Sequence, residues 1–290
     1  MTTKKKESPS RLATAFLNGI CAGRPLIIPF VTAGFPDRES TPEVVEAMGV
    51  AGADVVEIGI PFSDPLADGP TIQRSSEVAL EGGMTVPGVL EIVESIRRNE
   101  ANCDLPIVLM GYFNPLLAYG LERFLDDAKA IGVDGLIVPD VPPEEGREYR
   151  AACVERDLSA TFLVAPNAPD ERIRLVDQFS THFSYCVTVT GVTGARSEVQ
   201  GRTVEFLRRV RSLALKPFVV GFGIKEAAHV LELGRHADGV VVGSALIDVL
   251  SRAEDPATAA AGLIAPLRAA AEMIAEDRET GGVGDVHHEA

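Results

Sequence analysis

Two carboxylates eleven positions apart, in a stretch otherwise built for a protein interior, are the residues best placed to do chemistry. The stretch is VVEIGIPFSDPLADGPTIQ, residues 55–73. Val55, Val56, Ile58 and Ile60 form an apolar run that Glu57 interrupts. On strand alternation, Val56 and Ile58 face one way and Glu57 the other. A carboxyl held among valines and isoleucines has its charged form disfavoured, so its pKa rises. Such a group can give or take a proton near neutral pH, with a contribution of ~10²–10⁴ in rate. The structural alternative is an ion pair with an arginine inside the fold, yet no arginine stands at the C-terminal end of another apolar run. Asp68 lies beyond the run, in a segment too rich in proline for a helix. Asp64 and Asp68 could both serve as turn or N-cap residues. That role is the favoured one for Asp64; for Asp68 capping and chemistry stand level.

A second constellation suits an anion. VVGFGIKEA (219–227) sets Gly221 and Gly223 around Phe222, and in VVVGSALID (240–248) Gly243 and Ser244 open a short helix. Glycines let backbone N–H groups approach a phosphate, and a helix start adds partial positive charge. TGVTGARSE (190–198) has Gly191 and Gly194 as hinges of a candidate lid. Tight turns would explain any one of these loops; three neighbouring ones point to a phosphate cradle. No lysine or arginine is required in that scheme.

The elements that must position these groups are legible as alternation. Eight short apolar runs, at 25–33, 55–60, 106–111, 135–138, 160–164, 183–189, 217–221 and 239–243, alternate with helical stretches. Each run is apolar on both faces, as parallel strands covered by helices must be. Helices are expected near 41–52, 71–81, 85–99, 121–132, 144–157, 170–179, 203–213, 225–234 and 257–276. A faint repeat, GADVVEIG, GVDGLIV and HADGVVVG, places Asp54, Asp134 and Asp238 just before strands. There they should close turns by accepting from nearby backbone amides. The expected fold is α/β, a single (β/α)8 TIM barrel over 10–275, with extra short helices at the N-terminus and after the second and eighth strands. In such a barrel the loops after the seventh and eighth strands hold phosphate, and the C-terminal strand ends hold the chemistry. A doubly wound sheet is the alternative, but no G-x-G-x-x-G follows the first run. Residues 1–9 and the acidic 276–290 are expected to be disordered tails. His287 and His288 in the second tail are not read as a metal site.

Bulk composition narrows the class. With 290 residues and 46% hydrophobic content, the chain can bury a large core. A net charge of −15 argues against nucleic acid as partner. No apolar run of membrane-spanning length and no signal-peptide pattern is evident, so a cytoplasmic location without membrane association is expected. Cys21, Cys103, Cys153 and Cys186 show no zinc or redox spacing and are expected to be reduced thiols. Only six of the 27 basic residues are lysines, and with the acidic excess a salt-adapted, halophilic surface and an ordinary acidic protein stand level as readings.

Taken together, EIGIPFSDPLADGPTIQ, PIVLMGYFNPLLAYGLERF, GLIVPDVPPEE, GVTGAR, GFGI and GSA, in that order, resemble the tryptophan synthase α subunit family. The resemblance runs from about residue 11 to about residue 270. It implies a lyase that cleaves indole-3-glycerol phosphate to indole and glyceraldehyde 3-phosphate by a retro-aldol reaction, within tryptophan biosynthesis. Carried over, Glu57 matches the catalytic glutamate and Asp68 the catalytic aspartate. Tyr185 matches a tyrosine beside the glutamate, Thr193 the lid threonine that orients the aspartate, and Phe222 a residue packing on the substrate. Gly194, Gly223, Gly243 and Ser244 match the phosphate site. The chain departs from many members at Thr188-Val189-Thr190, where they carry Ser-Arg, so the lid's anchoring need not follow theirs.

The resemblance also implies a partner, the β subunit, in an α2β2 heterotetramer. That subunit carries pyridoxal phosphate and receives indole through a tunnel; no cofactor and no metal is expected in this chain. Pro61, Asp64 and Pro65, with Asn114 and Pro115, would contact it, which gives Asp64 an interface role as rival to its turn role. Two other readings compete: a regulatory subunit that mainly activates a β partner, and a different phosphosugar barrel enzyme.

Overall fold

The computed structural model describes residues 10–99, 104–187, 196–221 and 223–281. The first eleven-residue helix, α1 (Arg11–Cys21), is capped by Ser10, whose hydroxyl accepts from the Ala13 amide. Strands and helices then alternate: β1 (Leu26–Thr32), α2 (Ser40–Val50), β2 (Val56–Gly59), α3 (Pro70–Glu81), α4 (Val86–Arg98) and β3 (Ile107–Met110). Next come α5 (Phe113–Tyr119), α6 (Leu121–Ala130), β4 (Gly135–Ile137), α7 (Arg147–Glu155), β5 (Ser159–Thr161), β6 (Leu163–Val164) and α8 (Asp170–Phe179). The chain finishes with β7 (Ser184–Val187), α9 (Arg196–Leu213), β8 (Phe218–Gly221), α10 (Ala227–Leu233), β9 (Gly239–Val242), α11 (Ser244–Leu250) and α12 (Pro256–Gly281).

Among the described residues all strand pairings are parallel, in the order β5-β4-β3-β2-β1-β9-β8-β7-β6. β5 and β6 are one chain segment interrupted at Phe162, so the two ends of that order meet and the sheet is closed. Phe162 still takes part: its carbonyl accepts from Tyr185 N–H at 3.0 Å, while its own N–H turns to the Ser180 hydroxyl. The expected eight strands are therefore present as nine segments. The expected extra helices are α1, α3 and α11.

Three helical features differ from the sequence reading. α5, which carries Asn114 and Pro115, was expected as loop; Gly120, at φ +96°, breaks it from α6. α9 begins at Arg196, ahead of the expected 203. α12 continues to Gly281, so its last residues, assigned to the tail, are helical. α12 also contains a stretch, Pro256–Thr280, long and apolar enough to cross a membrane, where no such run was expected. It buries Ala260, Ile264, Leu267, Ala271 and Ile274 and packs along α2, α10 and α11, as a barrel-covering helix does. The tails 1–9 and 282–290 lie outside the described residues.

The three repeated aspartates clamp the N-terminal end of the sheet. Each stands before one strand and accepts from an amide at the start of the strand beside it: Asp54 from Ile27, Asp134 from Ile107 and Asp238 from Phe218, at 2.8–2.9 Å. The amides are thus those of the neighbouring strand, not of the local turn. Arginines neutralise the clamps. Arg24 binds Asp54 through both terminal nitrogens at 2.7 and 2.8 Å, with Arg268 behind it. Arg11 and Arg97 share Asp134, and Arg211 reaches Asp238. No chemistry is assigned to these groups, as the repeat implied.

Candidate active site

Glu57 sits in the middle of β2, in register with Phe30 on β1 and Val108 on β3. It lines a cavity of about 260 Å³ at the mouth of the barrel, with Phe30, Asp68, Met110, Tyr185 and Val241 among its neighbours. The side chain is 1% exposed, and neither carboxyl oxygen has a hydrogen-bond partner among the described residues. Burial, and then the negative charge of Asp68, push its pKa from 4.5 to about 8. Glu57 is therefore a neutral acid at pH 7, and no arginine among the described residues offsets it.

Asp68 reaches the same cavity from the loop between β2 and α3. Burial lifts it to about 6, and a hydrogen bond from the Tyr112 hydroxyl works in the opposite direction. That hydroxyl also accepts from the Ala67 N–H at 2.9 Å. Tyr112 thus stitches the loop to the end of β3. The carbonyl of Asp68 accepts from the Gln73 side-chain amide, which ties the same loop to α3. The two carboxyls are pushed apart, one protonated and one ionised at neutral pH, which is how a site holds an acid and an anion side by side. Asp68 lines the cavity, and α3 has Gly69 as its N-cap with no side-chain cap, so Asp68 does not cap that helix.

Tyr185, on β7, is buried against the cavity, and its hydroxyl is held neutral by burial and by the charges of Glu57 and Asp68. Gly221, at the end of β8, exists to admit it. A Cβ there would lie 2.1 Å from the Tyr185 hydroxyl and 2.5 Å from the ring. Gly223, at φ +96°, Gly243 and Ser244 line the same cavity. Thr193, Gly194 and Phe222 lie outside the described residues, as does the Thr188-Val189-Thr190 departure.

The sequence reading passed over two residues here. Tyr112 was detectable as a hydroxyl-bearing aromatic just past a strand's C-terminal end, the position where barrel chemistry is built. Lys225 also lines the cavity, although no cation was required there. Among the described residues no cluster of three or more His, Cys, Asp or Glu could hold a metal ion.

A separate groove of about 540 Å³ opens on the outer side of the Asp68 loop. It is lined by Phe62, Asp64, Leu66, Tyr112, Asn114 and Asp140. Asp64 and Asn114, both expected at a partner interface, are brought together on it. The Asp64 carboxylate accepts from Ser63 and not from a backbone amide, while its carbonyl closes a turn with Leu66 N–H. Pro65 and Pro115 are half-buried outside this groove, and Pro61 is buried.

A closed parallel barrel with two carboxyls and a glycine-lined pocket at one mouth has the make-up of a barrel enzyme that does acid–base chemistry. Residues 18–274 match the family model for the tryptophan synthase alpha chain. The chain is 50% identical over 244 residues to the tryptophan synthase alpha chain of Roseiflexus sp. strain RS-1, covering 84% of this chain and 93% of the relative. It is 44% identical to that of Deinococcus radiodurans over 92% of this chain and 97% of the relative. A crystal structure of tryptophan synthase subunit alpha from Legionella pneumophila superposes with a TM-score of 0.83 at 31% identity, covering 92% of this chain and all of that one. Tryptophan synthase from M. tuberculosis, in its open form with BRD0059 bound, gives a TM-score of 0.82 at 34% identity, covering 91% and 99% of the two chains. The chain belongs to the tryptophan synthase alpha chain family. Its reaction is the carbon–carbon lyase reaction on indole-3-glycerol phosphate, and the regulatory and other-barrel readings give way to it.

Proposed function

We propose that Glu57 is the acid and Asp68 the electrostatic partner of this cleavage. Breaking the bond at indole C3 requires that carbon to be protonated first, which leaves the ring electron-poor. Glu57, neutral at pH 7, supplies the proton. Asp68, ionised, accepts a hydrogen bond from the ring N–H and offsets the positive charge that grows there. As the C–C bond breaks, its electron pair returns to the ring and regenerates indole. The glycerol hydroxyl gives up its proton to the Glu57 carboxylate or to water, and its carbon becomes the aldehyde of glyceraldehyde 3-phosphate. Tyr185 packs beside Glu57 against the substrate. The phosphate is held by the backbone around Gly223, Gly243 and Ser244; the roles expected of Gly194 at the phosphate, Thr193 on the lid and Phe222 on the substrate fall on residues outside the described ones.

The observation that carries this assignment is geometric: Glu57 and Asp68 line one cavity, and the buried Glu57 carboxyl has no hydrogen-bond partner among the described residues. The test is release of indole from indole-3-glycerol phosphate by the wild-type chain and by Glu57→Gln and Asp68→Asn. Full activity in either variant would remove that residue from its role.

The same reading assigns the chain a pyridoxal-phosphate β partner in an α2β2 complex, docked over the groove that holds Asp64 and Asn114. Leu66, 94% exposed at its edge, supports an apolar contact there. The expected cytoplasmic location is kept as part of this reading, and the unpaired Cys21, Cys153 and Cys186 suit a reducing compartment.

A further inference from the structure

We infer that Lys225 supplies the positive charge of the phosphate pocket and thereby selects a phosphorylated over an uncharged substrate. This rests on the assignment of Gly223, Gly243 and Ser244 to phosphate and goes beyond it, because backbone amides alone would leave the pocket without a counter-charge.

The electrostatic problem is set by the cavity itself. Its lining includes Glu57 and Asp68, and the whole chain carries −15. A phosphate dianion entering this space meets an ionised Asp68 and an acidic surround, and both repel it. Among the described residues that line the cavity, Lys225 is the one basic side chain. It follows β8, and β1 and β9 separate that strand from β2, which carries Glu57. The cation is thus on the side of the barrel where the glycine loops are, away from the acid.

Among the described residues Lys225 has no other task. Three lysines fall within the described residues. Lys129 donates to the Asp157 carbonyl, and Lys216 to the Asp177 and Gln178 carbonyls. Lys225 makes no hydrogen bond or ion pair with the described residues, and it is exposed. Its neighbours fix where it starts. Gly223 turns the chain with a positive φ, Ile224 is buried as an anchor, and the Glu226 carboxylate lies 3.8 Å from the His229 ring. The four-carbon stem then allows the ammonium to follow the phosphate as a point charge.

The experiment uses the full chain with Lys225→Met and Lys225→Arg, at a surface position where folding is not at risk. For Lys225→Met, KM for indole-3-glycerol phosphate should rise about tenfold, the order of one charge-assisted contact, with kcat within about twofold. The inhibition constant of inorganic phosphate should rise in parallel, while that of indole, which lacks the charge, stays unchanged. Lys225→Arg should restore most of both. Added KCl should weaken wild-type substrate binding more steeply than that of Lys225→Met. Wild-type KM and phosphate inhibition in Lys225→Met would overturn the inference and leave the reaction intact. An equal rise for indole would overturn it too, by showing a loss of shape and not of charge. If the wild-type chain itself released no indole, the reaction reading would fall and this inference with it.

Discussion

Glu57→Gln offers a test in which stability and activity move in opposite directions. In the folded chain Glu57 ionises near pH 8, against 4.5 when free of its surroundings. Between those values the unfolded chain releases the proton and the folded chain keeps it. Ionisation therefore favours unfolding. The stability tied to this group is complete below about pH 4.5 and is lost as pH rises through about 8. At about 1.4 kcal/mol per pH unit, two and a half units take the loss at pH 7 to the order of 3 kcal/mol. Glutamine does not titrate, so Glu57→Gln should gain on wild type by that amount from acid to neutral pH. The gain should level off above about pH 8. Following the difference with pH removes the amide's own burial cost, which is constant, and the titration of Asp68, which both proteins share. Urea unfolding of the two proteins across this range measures it, and indole release on the same samples should fall by ~10²–10⁴. A stability difference that ignores pH, or activity within tenfold of wild type, would refute the buried-acid account.

The same ionisations set the pH profile of wild-type kcat/KM, with a rise near pH 6 as Asp68 ionises and a fall near pH 8 as Glu57 does. In Tyr112→Phe, Asp68 loses a bond that lowers its pKa, so the acid limb should move to higher pH. Near pH 6, kcat/KM should drop roughly threefold, approaching about fivefold well below that pH, the order of one hydrogen bond of about 1 kcal/mol. Gly221→Ala should reduce activity more than tenfold by driving Tyr185 into the cavity, at ~1–3 kcal/mol of overpacking. Adding Tyr185→Phe should not restore it, since the ring carbons still meet the new methyl at 2.5 Å. Asp134→Ala removes the carboxylate shared by Arg11, Arg97 and the Ile107 amide, leaving the arginines their carbonyl contacts to Gly132 but no counter-charge from Asp134, and should cost about 3–5 kcal/mol in urea unfolding, with kcat of the folded protein unchanged. If the acidic surface is a salt adaptation, molar KCl should raise the melting temperature; a flat response would mark it as ordinary.

What the sequence made legible follows from local physics. The apolar runs are two-faced because parallel strands under helices are buried on both sides, so all eight stood out. Glu57 was visible because it broke such a run. Asp68 was ambiguous for a good reason: a carboxylate in a proline-rich loop reads the same whether it caps a helix or faces a cavity, and only the closure of the barrel decides. Tyr112 and Lys225 were passed over because their partners come from elsewhere in the chain: Ala67 and Asp68 for one, and the pocket beside β9 for the other. The aspartate repeat showed that these residues bond backbone amides. It did not show which amides, since the neighbouring strand is a tertiary fact. α5 was missed because seven residues with a central proline carry too little periodicity to separate a short helix from a loop.

The placement of the three aspartate clamps has an engineering consequence. Every one of them, with its arginines, lies at the strand beginnings, and none shares an atom with the opposite rim. The chassis is bolted at one end and worked at the other. Rim segments can therefore be grafted, shortened or randomised with little penalty to the scaffold, provided the floor is left alone.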